Sequence, residues 1–206
     1  MEQVARARGD RVLELGALIA QCQVRCTANS EFNPALGEPL AEESLQLALE
    51  RGDRAAEAKL LWILINLYRF TERMTQARQV GAASLTIARD LNLREQLGFT
   101  LNDLSHAYSG EDFKHARELI QEATRIWREL GNLPMLADSL STTCMNDTIT
   151  GELDEAIAFS DEAFKISQSI GNLWGQTYSL STVGVVYWMR GEITRAVDVM
   201  QESLRL

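Results

Sequence analysis

Apolar residues return along this chain at helical spacing, in paired stretches separated by short polar breaks. Val12, Leu15, Leu18, Ile19 and Cys22 lie three or four apart, the stripe of a helix with one buried face, which predicts a helix from about Asp10 to Asn29. Asn33-Pro34 and Gly37-Glu38-Pro39 then read as a longer loop, with Pro39 in the first turn of the next helix, where its missing N–H costs nothing. That helix runs to about Arg51 and stops at Gly52, a residue suited to a left-handed cap. From there two kinds of helix alternate. Helix A is predicted near Arg54–Arg69, Arg94–Tyr108, Pro134–Ile149 and Trp174–Arg190. Helix B is predicted near Met74–Leu91, Phe113–Leu130, Leu153–Ile170 and from Ile193 onward. Three prolines in 206 residues suit an all-α chain.

The pattern repeats in letters as well as in polarity. Gly131-Asn132-Leu133 returns as Gly171-Asn172-Leu173, Ser139-Leu140-Ser141-Thr142 as Ser179-Leu180-Ser181-Thr182, and Gly151-Glu152 as Gly191-Glu192, each shifted by 40 residues. Helix-pair breaks at Gly52, Asn92, Gly131 and Gly171 stand 40, 39 and 40 apart. A fixed period in this range marks a solenoid of stacked supersecondary units. The expected organisation is a single solenoid over 1–206, with an atypical first pair over 1–51 and repeats over 52–91, 92–130, 131–170 and 171–206. Repeat two is one residue short, which places a deletion in its turn at Ser109-Gly110. Val4 to Asp10 resembles the repeat ending Leu47 to Asp53, and Leu206 falls in mid-helix. Both ends therefore read as cuts through repeats, as in a fragment of a longer protein.

Corresponding positions carry a family pattern. Helix A holds Leu61, Leu101, Leu140 and Leu180, then Leu64-Ile65, Leu104-Ser105, Thr143-Cys144 and Val183-Gly184, then Tyr68, Tyr108, Asp147 and Tyr187. Helix B holds apolar Met74, Phe113, Leu153 and Ile193, then Ala77, Ala116, Ala156 and Ala196, then small Ser84, Ala123, Ala163 and Ser203. Thr71, Gly110, Gly151 and Gly191 stand near the A–B turns. This resembles the tetratricopeptide repeat in its variety of about 40 residues, and implies a right-handed α-α superhelix of antiparallel helix pairs. Asp147 departs from the pattern inside the polar run Thr142 to Thr150. It reads either as a polar notch in a groove wall or as a helix A that ends early or packs loosely. The second is favoured, because Asp, Asn and Thr prefer helix ends.

The resemblance further implies a concave groove lined by outward-facing residues of helix A. Those positions hold Lys59, Trp62, Asn66 and Arg69, then Phe99, Asn102 and His106. They continue with Asp138, Ser141, Met145 and Thr148, then Tyr178, Ser181, Val185, Trp188 and Met189. Aromatics interleaved with amides and hydroxyls suit a peptide groove, although Trp62 and Trp188 equally suit packing between repeats. The clamp by which some tetratricopeptide domains hold a terminal carboxylate is absent. Its positions are filled by Trp62, Asn66, Asp103, Asp138 and Thr142, and two carboxylates repel such a ligand.

Charge narrows the partners. A net charge of −9 with no run of Lys or Arg argues against nucleic acid and against anionic membranes. The longest unbroken apolar run, Leu60 to Ile65, is too short to span a bilayer, and no signal-peptide pattern opens the chain, so a cytoplasmic location is expected. Cys22, Cys26 and Cys144 make no disulfide framework, and Cys22 and Cys26, four apart on one helix face, read as small packed hydrophobes in preference to half a metal site. No cofactor or metal is expected. His106 and Asp138 are conceivable as an acid–base pair, but no phosphate loop, nucleophile elbow or HExxH motif supports catalysis. The expected function is a non-catalytic scaffold that holds a protein or peptide partner in its groove. The alternative is a regulatory region of a larger bacterial signalling protein, of the ATPase-linked transcription regulator or cyclase type, answering a small molecule, a regulator or other domains of the same chain. Self-association through uncapped end repeats is a third possibility.

Overall fold

The computed structural model describes residues 2–206, and among them it has eleven helices and no strand. They are α1 (Glu2–Arg8), α2 (Arg11–Cys26), α3 (Pro34–Arg51), α4 (Arg54–Phe70), α5 (Met74–Asp90) and α6 (Arg94–Tyr108). After these come α7 (Phe113–Leu130), α8 (Leu133–Thr150), α9 (Leu153–Ser169), α10 (Leu173–Met189) and α11 (Ile193–Ser203). The chain divides into two compact units, the first ending at Tyr108 and the second beginning at Ser109. In the first, α3 packs on α2 and α4, and α4 packs on α5 and α6. In the second, α8 packs on α7, α9 and α10, and α11 packs on α10.

The breaks work as local chemistry dictates. Gly52, Asn92, Gly131 and Gly171 all take left-handed φ angles of 65°, 52°, 69° and 67°, and Gly9, at the resembling early position, takes 65°. The polar residue after several of these glycines then caps the next helix. Asp10, Asp53, Asn132 and Asn172 accept from the backbone N–H three residues on, in Leu13, Ala56, Met135 and Gly175. Ala77, Ala116 and Ala156 are fully buried and Ala196 nearly so, which brings helix backbones close. The helices also approach closely at Gly81 of α5, where an added Cβ would stand 2.5 Å from Leu104 Cδ1 of α6. Cys22 and Cys26 pack under α3, with Cys22 Sγ 3.4 Å from Ser44 Oγ, and burial pushes the Cys26 thiol up to about 12.

Two expectations need correction. The segment around Gly37 is helix, because Asn33 caps α3 and Pro34 takes its first turn; Pro39 therefore sits inside the helix, where it forfeits one backbone bond. In repeat one Thr71 caps α4 at the turn, as placed, and its neighbour Glu72 takes the left-handed conformation at φ 60°. The residue missing from repeat two, by contrast, falls in the turn as expected: Arg94 to Tyr108 matches Arg54 to Tyr68 in register, and only 109–112 separate Tyr108 from Phe113 where 69–73 separate Tyr68 from Met74. Finally, α8 continues to Thr150 and Asp147 is fully buried, so repeat three neither ends early nor packs loosely there.

The helix itself satisfies part of the polar run of α8, while Thr142 Oγ1 and Asn146 Nδ2 stay buried without a hydrogen-bond partner among the described residues. Thr143, Thr148 and Thr150 donate to the carbonyls four residues back, at 2.8, 2.6 and 3.1 Å. Asp147 is balanced by Arg117 of α7, whose Nε lies 3.0 Å from Oδ1. Burial still raises the Asp147 pKa from its ordinary value, with Arg117 opposing the rise and Glu152 adding to it.

Candidate functional site

Within the first unit, α4 and α6 bring the expected residues of repeats one and two onto one face. Its centre is Asp103. Trp62 Nε1 donates to Asp103 Oδ2 at 2.6 Å, and Asn66 Nδ2 donates to the same oxygen at 2.7 Å. Arg69 Nη1 donates to Asn66 Oδ1 at 3.1 Å and stands 3.9 Å from Asp103 Oδ1. The Trp62 and Phe99 rings lie 5.2 Å apart at 38°. Asn66, Asn102 and Trp62 are buried, so the outward exposure expected of them is largely lost to this network. His106 is held neutral: burial, and then the Arg69 charge, push its pKa down to about 4 against the opposing pull of Asp103. Above the network lies a pocket of about 430 Å³ reached by Lys59, Trp62 and Phe99, with Gln23 and Gln96 at its sides.

Sequence reasoning passed over Asp103 as a hub. The signal was present in the period, since a shift of 40 residues sets Asp103 beside the helix turn that carries Trp62 and Asn66.

The second unit handles the same repeat positions differently. Ser141 is buried, its hydroxyl 3.1 Å from that of Ser179, and Ser181 Oγ lies 3.0 Å from Ser203 Oγ. Asp138 is half-buried and Thr148 is buried. Trp174, absent from the expected set, stacks beside Tyr178 at 5.1 Å, and Trp188 is 63% exposed. Between α8 and α10 lies a depression of about 440 Å³, lined by Met145, Thr148, Ile149, Tyr178, Ser181, Thr182, Val185 and Met189. None of those side chains is charged. Met145, Ile149, Val185 and Met189 are 39–50% exposed. Ile149, at the predicted end of its helix A, and Thr182 lie outside the expected set.

Among the described residues no three His, Cys, Asp or Glu side chains gather as a metal set, and no helix is long and apolar enough to cross a membrane.

These helix pairs, caps and packed alanines define a solenoid of tetratricopeptide-like repeats. No protein-family model matches the chain, and neither does any curated protein. Solved structures do. The crystal structure of BtubC (BKLC) from P. vanneervenii is 22% identical, covers 99% of this chain and 85% of its own, and superposes with a TM-score of 0.81. A P. anserina putative kinesin light chain structure with nearly identical TPR-like repeats is 15% identical, covers 100% of this chain and 96% of its own, with a TM-score of 0.69. At these identities the likeness carries the fold.

Proposed function

We propose that the chain is a non-catalytic interaction module, and that its second unit holds an apolar-faced segment of a protein partner in the depression between α8 and α10. The observation that carries this reading is the uncharged lining of that depression in a chain with 24% charged residues and a net charge of −9. Large apolar side chains left half in water beside one another are what interaction sites offer. Met145 and Met189 suit the role because an unbranched thioether adapts to whatever side chain enters. Each leucine-sized side chain that a partner buries there contributes about 1.5–3 kcal/mol before the costs of association. The buried, unpaired thiols are consistent with action in a reducing compartment such as the cytoplasm.

The test is a selection of random peptides against the whole chain, repeated with Val185→Glu. Selected peptides should be rich in apolar residues at helical or alternate spacing, and should bind the variant at least about tenfold more weakly. Peptides that bind both proteins equally would sink the assignment.

A further inference from the structure

We propose that the pocket of the first unit binds a small planar molecule carrying an anionic group. It is a second site, independent of the depression between α8 and α10. Three observations converge on this chemistry. The first is Lys59, half-buried at the pocket wall, whose ammonium has neither a hydrogen-bond partner nor an ion-pair partner among the described residues. In a chain with more carboxylates than cations, an ammonium left without one is open to an anion from outside. The second is the aromatic wall. Phe99 and Trp62 border the cavity, and the hydrogen bond from Trp62 Nε1 to Asp103 fixes the indole before any ligand arrives. The third is size: about 430 Å³ falls within the range of cavities that take small ligands.

The remaining lining refines the ligand. Gln96 Nε2 is committed to Thr100 Oγ1 at 3.2 Å, which leaves the amide its carbonyl as an acceptor, and Gln23 adds a second amide. Ala55 and Leu93 supply apolar contact for the ring. Arg94 and Glu95 occupy the rim with opposite charges. The anion belongs at Lys59, the ring against Phe99, and a ring hydroxyl or amine at the Gln96 carbonyl. Carboxylate and phosphate share this chemistry, and the experiment separates them.

The full chain, labelled with ¹⁵N, is titrated with 4-hydroxybenzoate, its neutral analogue 4-hydroxybenzamide, and phenyl phosphate. The readout is the Trp62 indole N–H resonance, identified by its loss in Trp62→Phe. The acid should shift it saturably, with a Kd of about 1 mM or below, and the amide should bind about tenfold more weakly. Lys59→Met should remove that preference and leave amide binding as it was, while Val185→Glu should change nothing. Tighter binding of phenyl phosphate than of the benzoate assigns the anion as phosphate, and the reverse assigns it as carboxylate. Equal binding of acid and amide, a Lys59→Met chain that retains the preference, or no saturation by any probe at about 10 mM would overturn the proposal. The acid–amide comparison uses the unaltered chain, so it stands even where a variant folds poorly.

Discussion

The same two helix positions are filled in both units, and they are held together by different forces. In each unit an arginine follows the packed alanine of a helix B and reaches the tyrosine position of the next helix A. In the first unit Arg78 lies over the Tyr108 ring, 5.4 Å from its centroid. In the second, Arg117 meets Asp147 at 3.0 Å, and the carboxylate is fully buried where the aromatic ring would stand. A guanidinium serves both partners because it is planar, weakly hydrated and permanently charged. The two contacts differ in what their loss leaves behind. Without Arg78, a neutral tyrosine ring remains, whereas without Arg117 the buried Asp147 carboxylate loses its counter-charge. The fold thus tolerates exchange of a ring for a carboxylate, and the exchange makes the second unit dependent on one ion pair.

Removing each arginine in turn should break the symmetry openly. Arg117→Met is expected to destabilise the second unit by about 3 kcal/mol, the cost of stranding a buried charge reduced for the partial exposure of Arg117. Arg78→Met should cost about 0.5 kcal/mol, the value of a solvent-screened cation–π contact. Asp147→Asn added to Arg117→Met should recover much of the loss, because a neutral amide needs no counter-charge. Denaturation followed by hydrogen exchange within each unit measures both. Equal losses for the two arginines would mean that Asp147 draws nothing from its pairing.

Much of this architecture was legible in the sequence for physical reasons. Backbone breaks are local, so Gly52, Asn92, Gly131 and Gly171 announced their left-handed conformations by residue type and period alone. Burial of the repeated alanines followed from the same period. Pro39 was misread because a proline marks a helix start only when no better start precedes it, and Asn33-Pro34 supplied one. The candidate site was less legible. Whether Asn66 and Asn102 face solvent is decided by Asp103 and by packing from the neighbouring repeat, and helical spacing does not encode that. Likewise the polarity of Asp147 pointed to a helix end, because its counter-charge comes from a residue 30 positions earlier.

The titrating groups extend the comparison between the units, because the two buried groups move stability in opposite directions. His106 has its pKa lowered in the fold, to about 4, against an unfolded value of about 6.5. The neutral ring is the folded form. Its contribution is complete above about pH 6.5 and is lost as pH falls toward 4, because the unfolded chain takes up the proton first. Allowing for the ring's partial exposure, the loss amounts to about 2 kcal/mol. Asp147 has the opposite sign. Its raised pKa means the folded state binds the proton more tightly, so its burial weighs on the second unit as pH rises through the carboxylate range. Protection factors, corrected for the intrinsic exchange rate at each pH, should therefore fall selectively in α4 and α6 between pH 7 and about pH 4, and His106→Gln should flatten the dependence. A first unit whose protection is unchanged over that interval would refute the assignment of His106 as a buried neutral ring.

Asp103 supports a smaller effect than His106, and the one most specific to the first unit. Asp103→Asn keeps the shape of the side chain but replaces one acceptor oxygen with a donor and removes the charge. Trp62 Nε1 and Asn66 Nδ2 now share Oδ2 at 2.6 and 2.7 Å, and a neutral amide oxygen holds two donors less firmly than a carboxylate does. The expected cost is about 1.5 kcal/mol, between a weakened hydrogen bond and a fully abandoned buried donor. The loss should be local: the Trp62 indole proton should exchange faster while that of Trp127, in the second unit, stays protected. The same variant withdraws the charge that raises the His106 pKa, so the titration of His106 should move still lower even as the unit weakens. If the Trp62 proton exchanges at its original rate in Asp103→Asn, the indole is held by packing against Phe99 and the carboxylate is not the hub of this face.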